Sequence, residues 1–474
     1  MSQTTLPNSP DDSPDYNRRD FLVSGSAAAL MAMLGAGCGN SAPPGSVQAL
    51  AKTNDVAAGD YVPPALRTKV AVIGLGSWGR ELLHVLARIP HATIAAICDN
   101  YPGALRRSTE AAPDAAQTAD YKTILENKEI KAVIVATPTH QHKDIVLAAL
   151  KAGKHVYCEA PLANTIEDAR EIALAAKAAP KQQLFQSGLQ FRADPQRLFL
   201  LPFIRSGALG KFIMARAQWH KKTSWRAAAP TPERAKALNW RLYKETSLGL
   251  VGELGIHQLD QASWFLNSRP RAVTGFSSLI LWNGDKDNDD RDVPDTVQAV
   301  IEYAGGVRLD YDATLANSFD GAYEIFYGSD AAVMLRDIKA WMFKEVDSPL
   351  LGWEVYASKE TFYKETGISL RAGASKSAQG AEPTPEQLFK MAPIFTALEN
   401  FILNTDDMNT AIENAVTSYG NDPETIADAA AKAPKRTVAG YLEGYQATVT
   451  AIKANEAAVT GKRVELPREL YELS

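Results

Sequence analysis

The sequence predicts an α/β protein whose first half is a doubly wound parallel sheet and whose second half is a further strand-rich domain. Three observations carry that expectation. A glycine-rich turn near residue 74 sits between an apolar run and a helical pattern, and short apolar runs then alternate with helical patterns to about residue 160. Beyond residue 210, strand-like runs recur between Gly, Asp and Asn. A chain of 474 residues exceeds what one hydrophobic core supports, so two domains plus extra segments are expected.

The first residues read as a separate segment. In NRRDFLVSGSAAALMAMLGAGC, Arg18 and Arg19 precede an apolar run from Phe21 to about Cys38 that is rich in Ala, Gly and Ser. A basic stretch before a mildly apolar one is the pattern of a secretory signal. With Asp20, Phe21 and Leu22 after it, the arginine pair resembles a twin-arginine signal, the type whose export machinery carries folded proteins. A transmembrane anchor is the alternative, although the run is short and weakly hydrophobic. GAGC also resembles a lipoprotein cleavage site, which makes Cys38 a candidate lipid anchor, but Gly35 stands where that pattern prefers Leu. Residues 1–38 are therefore expected to be the signal segment. Residues 39–66, rich in Pro, Gly and Ala, are expected to be a flexible tether. The expected location is outside the cytoplasm, periplasmic or held as a lipoprotein on the outer side of the inner membrane.

At residue 68 the texture changes to TKVAVIGLGSWGRELLHVLARI. Val70 to Ile73 form a buried-strand run, and Gly74, Gly76 and Gly79 follow as G-x-G-x-x-G before a helical pattern. The first glycine permits the tight turn and the second lets backbone approach a pyrophosphate. The third allows close helix-on-strand packing, with the helix N-terminus facing the anion. Ser77 and Trp78 lie within this turn and join it as candidate cofactor contacts. A second strand, ATIAAICD, ends at Asp99, twenty residues after Gly79, where a carboxylate accepts hydrogen bonds from ribose hydroxyls. It would repel a 2′-phosphate, so NAD is expected over NADP; the bland alternative is that Asp99 caps the turn DNYPG. Two more strands, Ala132 to Ala136 and His155 to Cys158, continue the pattern, and the loop ATPTHQH leaves a carboxyl strand end, the edge where such sheets bind ligands.

These residues resemble the glucose–fructose oxidoreductase and inositol dehydrogenase family, Gfo/Idh/MocA. The likeness runs through VIGLGSWG, ATPTHQH, AALKAGKHVYCEAPLA, SGLQFR, IRSGALGKF, LNW and GELGIHQLDQASWFL. It implies a Rossmann domain at 67–190, and at 191–474 an α/β substrate and oligomerisation domain with an open, mostly antiparallel sheet. The runs KFIMARAQW, RAVTGFSSLILW, DTVQAVIEY, GVRLDYDATL and AYEIFYG suit such a sheet, with helical patterns near 387–403 and 437–458 and a last short strand in GKRVELP. The resemblance further implies that Thr137, Pro138, His142, Glu159 and Gln190 line the cofactor, His142 reading also as a packed loop histidine, that Arg192, Trp240 and Asp260 meet the substrate, and that the molecule is a homo-oligomer.

Catalysis departs from the family pattern at two places, Ala160 for its lysine and Glu253, a carboxylate one methylene longer, where its acid is Asp. Its oxidoreductases carry Glu-Lys-Pro at this strand end, the lysine assisting proton transfer; here the position is Ala160, and a methyl group moves no proton. The family's acid and histidine, four apart on a helix, correspond to Glu253 and His257. With Asp260 they would share one helical face, His257 taking a hydroxyl proton and Glu253 orienting the ring. A plain helix-surface pair is the bland alternative. A metal held by acid, His and acid lacks a supporting His or Cys cluster, so none is expected. Tyr243, or Lys221 and Lys222, are candidates to replace the lysine; the two lysines read equally as solvated charges.

The net charge of −5 provides no basic field for phosphate backbones, which argues against nucleic acid as the main partner. Cys38, Cys98 and Cys158 are too few and too scattered for a disulfide scaffold or a zinc site. An exported enzyme has no pool in which to recycle a released dinucleotide, so it is expected to hold its cofactor and regenerate it within each cycle. Two chemistries do this: net oxidoreduction of sugar hydroxyls, or transient oxidation of a glycoside followed by elimination and return of the hydride. A sugar-binding relative without chemistry is the third alternative.

Overall fold

The computed structural model describes residues 68–283, 290–349, 359–362, 365–370 and 384–473. The expected signal segment and tether, with Arg18, Arg19 and Cys38, lie outside the described residues. Six strands open the fold: β1 (Thr68–Ile73), β2 (Ala92–Cys98), β3 (Ala116–Thr118), β4 (Ala132–Val135), β5 (His155–Cys158) and β6 (Phe185–Ser187). They form one sheet in the order β3-β2-β1-β4-β5-β6 with every pairing parallel. The order reverses between β1 and β4, which opens a crevice at their carboxyl ends. Alternate side chains feed two cores. Val70, Val72, Ile134 and Tyr157 pack with the helix Ser77–Leu86, while Ala71, Ile73, Val133 and Val135 pack with the helices His142–Lys151 and Ile166–Ala178.

The second sheet has ten strands. They are β7 (Phe212–His220), β8 (Ala272–Ser278), β9 (Thr296–Glu302), β10 (Arg308–Thr314), β11 (Ala322–Gly328), β12 (Ala331–Arg336), β13 (Lys339–Lys344), β14 (Lys359–Phe362), β15 (Glu365–Leu370) and β16 (Val464–Glu465). Their order is β14-β15-β13-β12-β11-β7-β10-β9-β8-β16, antiparallel except where β7 meets β10. Inward residues alternate along β10, where Leu309, Tyr311 and Ala313 are buried. The five expected strand runs and the closing one are present; β12 to β15 extend the sheet beyond them.

An element from beyond residue 190 packs on the first sheet. The helix Pro393–Tyr419, far beyond that point in the chain, lays Phe395, Leu398, Phe401 and Ile402 against Val70, Val72 and Tyr157 of the first sheet. Among the described residues no helix is long and apolar enough to cross a membrane.

Candidate active site

The carboxyl ends of the parallel strands open into a cleft of about 1780 Å³, roomy enough for a dinucleotide and a further small molecule. Its floor is the glycine turn. Gly74 has φ +97°, and a Cβ there would lie 2.6 Å from the backbone of Ala136. At Gly79 a Cβ would meet the Gly74 carbonyl oxygen at 1.9 Å, so strand and helix touch only because both residues are glycine. A Cβ at Gly76 would meet nothing within 4 Å. That position faces open cleft: the chain itself does not require glycine there, but a ligand pressed to the backbone does. Ser77 and Trp78 line the cleft beside it.

Asp99 lines the cleft from the end of β2. Its carboxylate accepts the Leu75 N–H at 2.9 Å and the Tyr101 N–H at 2.8 Å, tying the glycine turn to the next loop. The turn-capping role is therefore real, and each oxygen keeps acceptor capacity for a ligand. Thr137 and Pro138 also line the wall, and the buried Thr137 Oγ1 has no partner among the described residues. Gln190 completes this side.

Glu159 lies at the cleft wall just before the cis Ala160–Pro161 peptide, 7% exposed. Gly188 makes room for it, since a Cβ there would sit 2.5 Å from Glu159 Oε2. Burial pushes this carboxyl up to about 7, against the pull of Trp78, Tyr157 and Arg241. His142 lines the cleft and is at the same time the packed loop histidine of the alternative reading. Its Nδ1 lies 3.0 Å from the Pro161 carbonyl oxygen and its Nε2 2.9 Å from that of Thr137, so its single N–H donates to one loop or the other according to the tautomer. Burial pulls it down to about 4, so it is neutral.

The Glu253–His257 pair is arranged differently from the expectation. The segment is two helices, Gly249–Glu253 and Ile256–Phe265, because the chain pauses at Gly255. A Cβ on Gly255 would lie 2.8 Å from the Tyr311 ring, so the pause lets the second sheet close in. Glu253 does not orient the imidazole: it accepts the Leu248 N–H at 3.0 Å and the Thr139 hydroxyl at 3.0 Å. Burial raises its pKa, opposed chiefly by Arg241. His257 does line the cleft, partly exposed, its ring 5.6 Å from that of Phe191. Its Nδ1 has no partner among the described residues, and burial with the charge of Arg197 pulls it down to about 4. The result is a neutral imidazole with an uncommitted nitrogen.

Three expected site residues lie away from the cleft lining. Asp260 is clamped by Arg192, Nε and an Nη each donating at 2.8 Å, a buried pair that joins two elements instead of meeting substrate. Tyr243 donates its hydroxyl to Asp290 at 3.1 Å on the exposed rim, and burial with that carboxylate raises its pKa, the reverse of what a proton relay needs. Trp240 does line the cleft, as does Lys221, whereas Lys222 does not. Sequence reasoning missed Thr139, which holds Glu253, and Arg241, which shares the cleft wall with Glu159 and Glu253. Arg241 follows Trp240 directly, the one hint available. Among the described residues no cluster of three or more His, Cys, Asp or Glu is arranged for a metal ion.

Residues 68–187 match the family described as "Oxidoreductase family, NAD-binding Rossmann fold", and residues 202–333 match the "GFO/IDH/MocA C-terminal domain". Together the two segments span just over half of the chain. Levoglucosan dehydrogenase of Pseudarthrobacter phenanthrenivorans is 29% identical over 213 residues, 42% of this chain and about half, 52%, of that relative. Inositol 2-dehydrogenase of Salmonella typhimurium is 26% identical over 250 residues, 52% of this chain and 69% of the other. A glycosyl hydrolase family 109 protein of Shewanella amazonensis is 25% identical over 375 residues, 71% of this chain and 79% of the other. Among solved structures, levoglucosan dehydrogenase in complex with NADH and L-sorbose has a TM-score of 0.62 at 20% identity, covering 85% of this chain and 99% of that one. That likeness speaks to the fold.

Proposed function

Because this chain belongs to the Gfo/Idh/MocA family of NAD-binding oxidoreductases, we propose that it oxidises or reduces a hydroxyl-bearing carbon of a small carbohydrate, with NAD held in the cleft. The observation that carries this reading is that the glycine turn and the uncommitted imidazole of His257 line one cleft. The chain fits the cofactor: the open space at Gly76 and the unpartnered Thr137 hydroxyl are what a bound dinucleotide would fill. Gly74, Gly76, Ser77, Trp78 and Gly79 would hold the pyrophosphate and Asp99 the adenosine ribose, its charge favouring NAD over NADP. Thr137, Pro138, Glu159 and Gln190 would wall the nicotinamide side. NAD, when bound, supplies the hydride acceptor.

His257 receives the hydroxyl proton on its imidazole, and being neutral above about pH 4 it is ready to do so. Glu253 acts at one remove, fixing the Thr139 loop and the Leu248 backbone around the imidazole. The test is to denature the natively purified protein, identify the released dinucleotide by mass, and mix the intact protein with a broad panel of aldoses and polyols. A change in nicotinamide absorbance is expected; an empty protein that takes up no nucleotide overturns the reading.

A second reading is favoured by one residue and one relative. Ala160 leaves no amine beside Glu159, and the family 109 glycosyl hydrolase match runs along 71% of the chain. Transient oxidation acidifies the neighbouring C–H, so a modest base can start elimination of an aglycone. Release of phenol from aryl glycosides without added NAD would select this reading over net oxidoreduction.

The arginine pair at 18 and 19 supports export with the cofactor already in place, to the periplasm or, through lipid on Cys38, to the outer side of the inner membrane. Retained NAD and the mass of the mature N-terminus test both points. Phe276, 64% exposed on β8, supports a homo-oligomer assembled through the second sheet, which sedimentation analysis tests.

A further inference from the structure

Arg241 stands in the short turn Trp240–Leu242, its guanidinium 4.5 Å from the centre of the Trp240 ring, on a cleft wall shared with His257, Glu159 and Ala160. It forms no hydrogen bond or ion pair with any described residue. The neighbouring cations are committed: Arg197 to Asp194 and Glu324, Arg226 to Asp290, Arg80 to the Leu75 carbonyl. The two carboxyls that face Arg241, Glu253 and Glu159, do not neutralise it by contact. Each oxygen of Glu253 already accepts one bond, from Leu248 N–H and from the Thr139 hydroxyl, and neither bonds Arg241. Glu159 sits behind Gly188, and burial raises the pKa of both acids against the pull of Arg241. Lys221, exposed on the same cleft and without an ion partner among the described residues, adds positive potential.

We propose that Arg241 binds a carboxylate of the substrate, so that the carbohydrate this cleft accepts is a sugar acid: a uronate, an aldonate or a related polyhydroxy acid. The proposal rests on the function proposed above and narrows its substrate class. A guanidinium presents its N–H donors in a planar fork that matches a carboxylate in two parallel hydrogen bonds. The cation lies over the Trp240 ring, which keeps it at the cleft wall. A neutral sugar would satisfy some of the N–H groups but bring no charge of its own to a cation that no carboxylate contacts.

The test is calorimetric binding to the purified protein with its native cofactor content. The probes are D-galacturonate, D-glucuronate and D-gluconate, matched against D-galactose, D-glucose and D-sorbitol. At least one acid is expected to bind about 10- to 100-fold more tightly than its neutral match, the range of a charge-assisted hydrogen-bond pair. Arg241→Met should erase that difference, and Arg241→Lys, which keeps the charge but loses the fork, should retain part of it. Dinucleotide content and melting temperature identify any variant that has failed to fold, and the wild-type comparison stands without the variants. No acid outbinding its neutral match, or a preference that survives Arg241→Met, overturns the proposal. Absence of NAD from the protein would instead remove the oxidoreductase reading and leave this binding comparison intact.

Discussion

His257 is uncharged at neutral pH because its surroundings solvate an imidazolium poorly and Arg197 repels one. Replacing it with Ala should lower turnover by about 10²- to 10⁴-fold, the usual worth of a positioned base, while dinucleotide content stays unchanged. The acid limb of kcat/KM should fall near pH 4 rather than at the 6.5 of an ordinary histidine, because activity is lost only when the imidazole gains its proton. Glu159 makes the opposite kind of prediction. Its carboxyl is raised from 4.5 to about 7, so its contribution to stability is full below pH 4.5 and is lost as pH rises through 7. Relative to Glu159→Gln, the native protein should lose up to about 3 kcal/mol between roughly pH 5 and 8, read from denaturant melts across that window.

At this scale the sequence was legible where chemistry and chain-local geometry coincide. The glycines, Asp99 and His257 declare themselves by spacing. Tyr243, Arg192 and Asp260 did not, because their roles depend on which distant partner captures them: Asp290 for the tyrosine, and each other for the remaining two. Arg241 was missed for the converse reason, since no local pattern marks a cation that ends up without a partner.

At the scale of elements, the glycine turn separates two kinds of requirement. Gly76 has backbone angles open to any residue and empty space where a side chain would go. Gly76→Ala should therefore melt within about 1 kcal/mol of the native protein yet lose its dinucleotide. Gly79→Ala should do the reverse at first sight, lowering the melting temperature outright, because its methyl would strike the Gly74 carbonyl. Calorimetry of both variants, with nucleotide content measured alongside, distinguishes them; equal melting losses would refute the distinction. The strands of the first sheet were readable as continuous apolar runs because both their faces are covered. β12 to β15 were not, since lysines, arginine and glutamates at their ends blur a two-residue alternation over so few positions. The helix Pro393–Tyr419 was foreseen only in its first half. Asn404, Thr405, Asp406 and Asp407 interrupt the apolar pattern, yet Asn404 is spent on the Arg436 backbone, accepting its N–H at 2.7 Å, and Thr405 is fully buried.

Across the whole molecule, that same helix makes the dinucleotide half depend on residues more distant in sequence than any sheet pairing within it. Phe401 is 1% exposed and meets Tyr157 of β5 edge-on, ring centres 5.8 Å apart. Phe401→Ala should cost about 3–5 kcal/mol, a large part of the total stability of such a protein, and the loss should register in hydrogen exchange of β1 and β5. Protection of those strands unchanged by the substitution would show that the sheet stands without the helix. The arrangement also has a consequence for biosynthesis. Once β6 has left the ribosome, roughly 200 more residues must be translated before Ile402 appears, about 10–40 s at ordinary elongation speeds. Throughout that delay the nascent chain carries Val70, Val72 and Tyr157 on an uncovered flank, an apolar target that chaperones should occupy until the late helix displaces them.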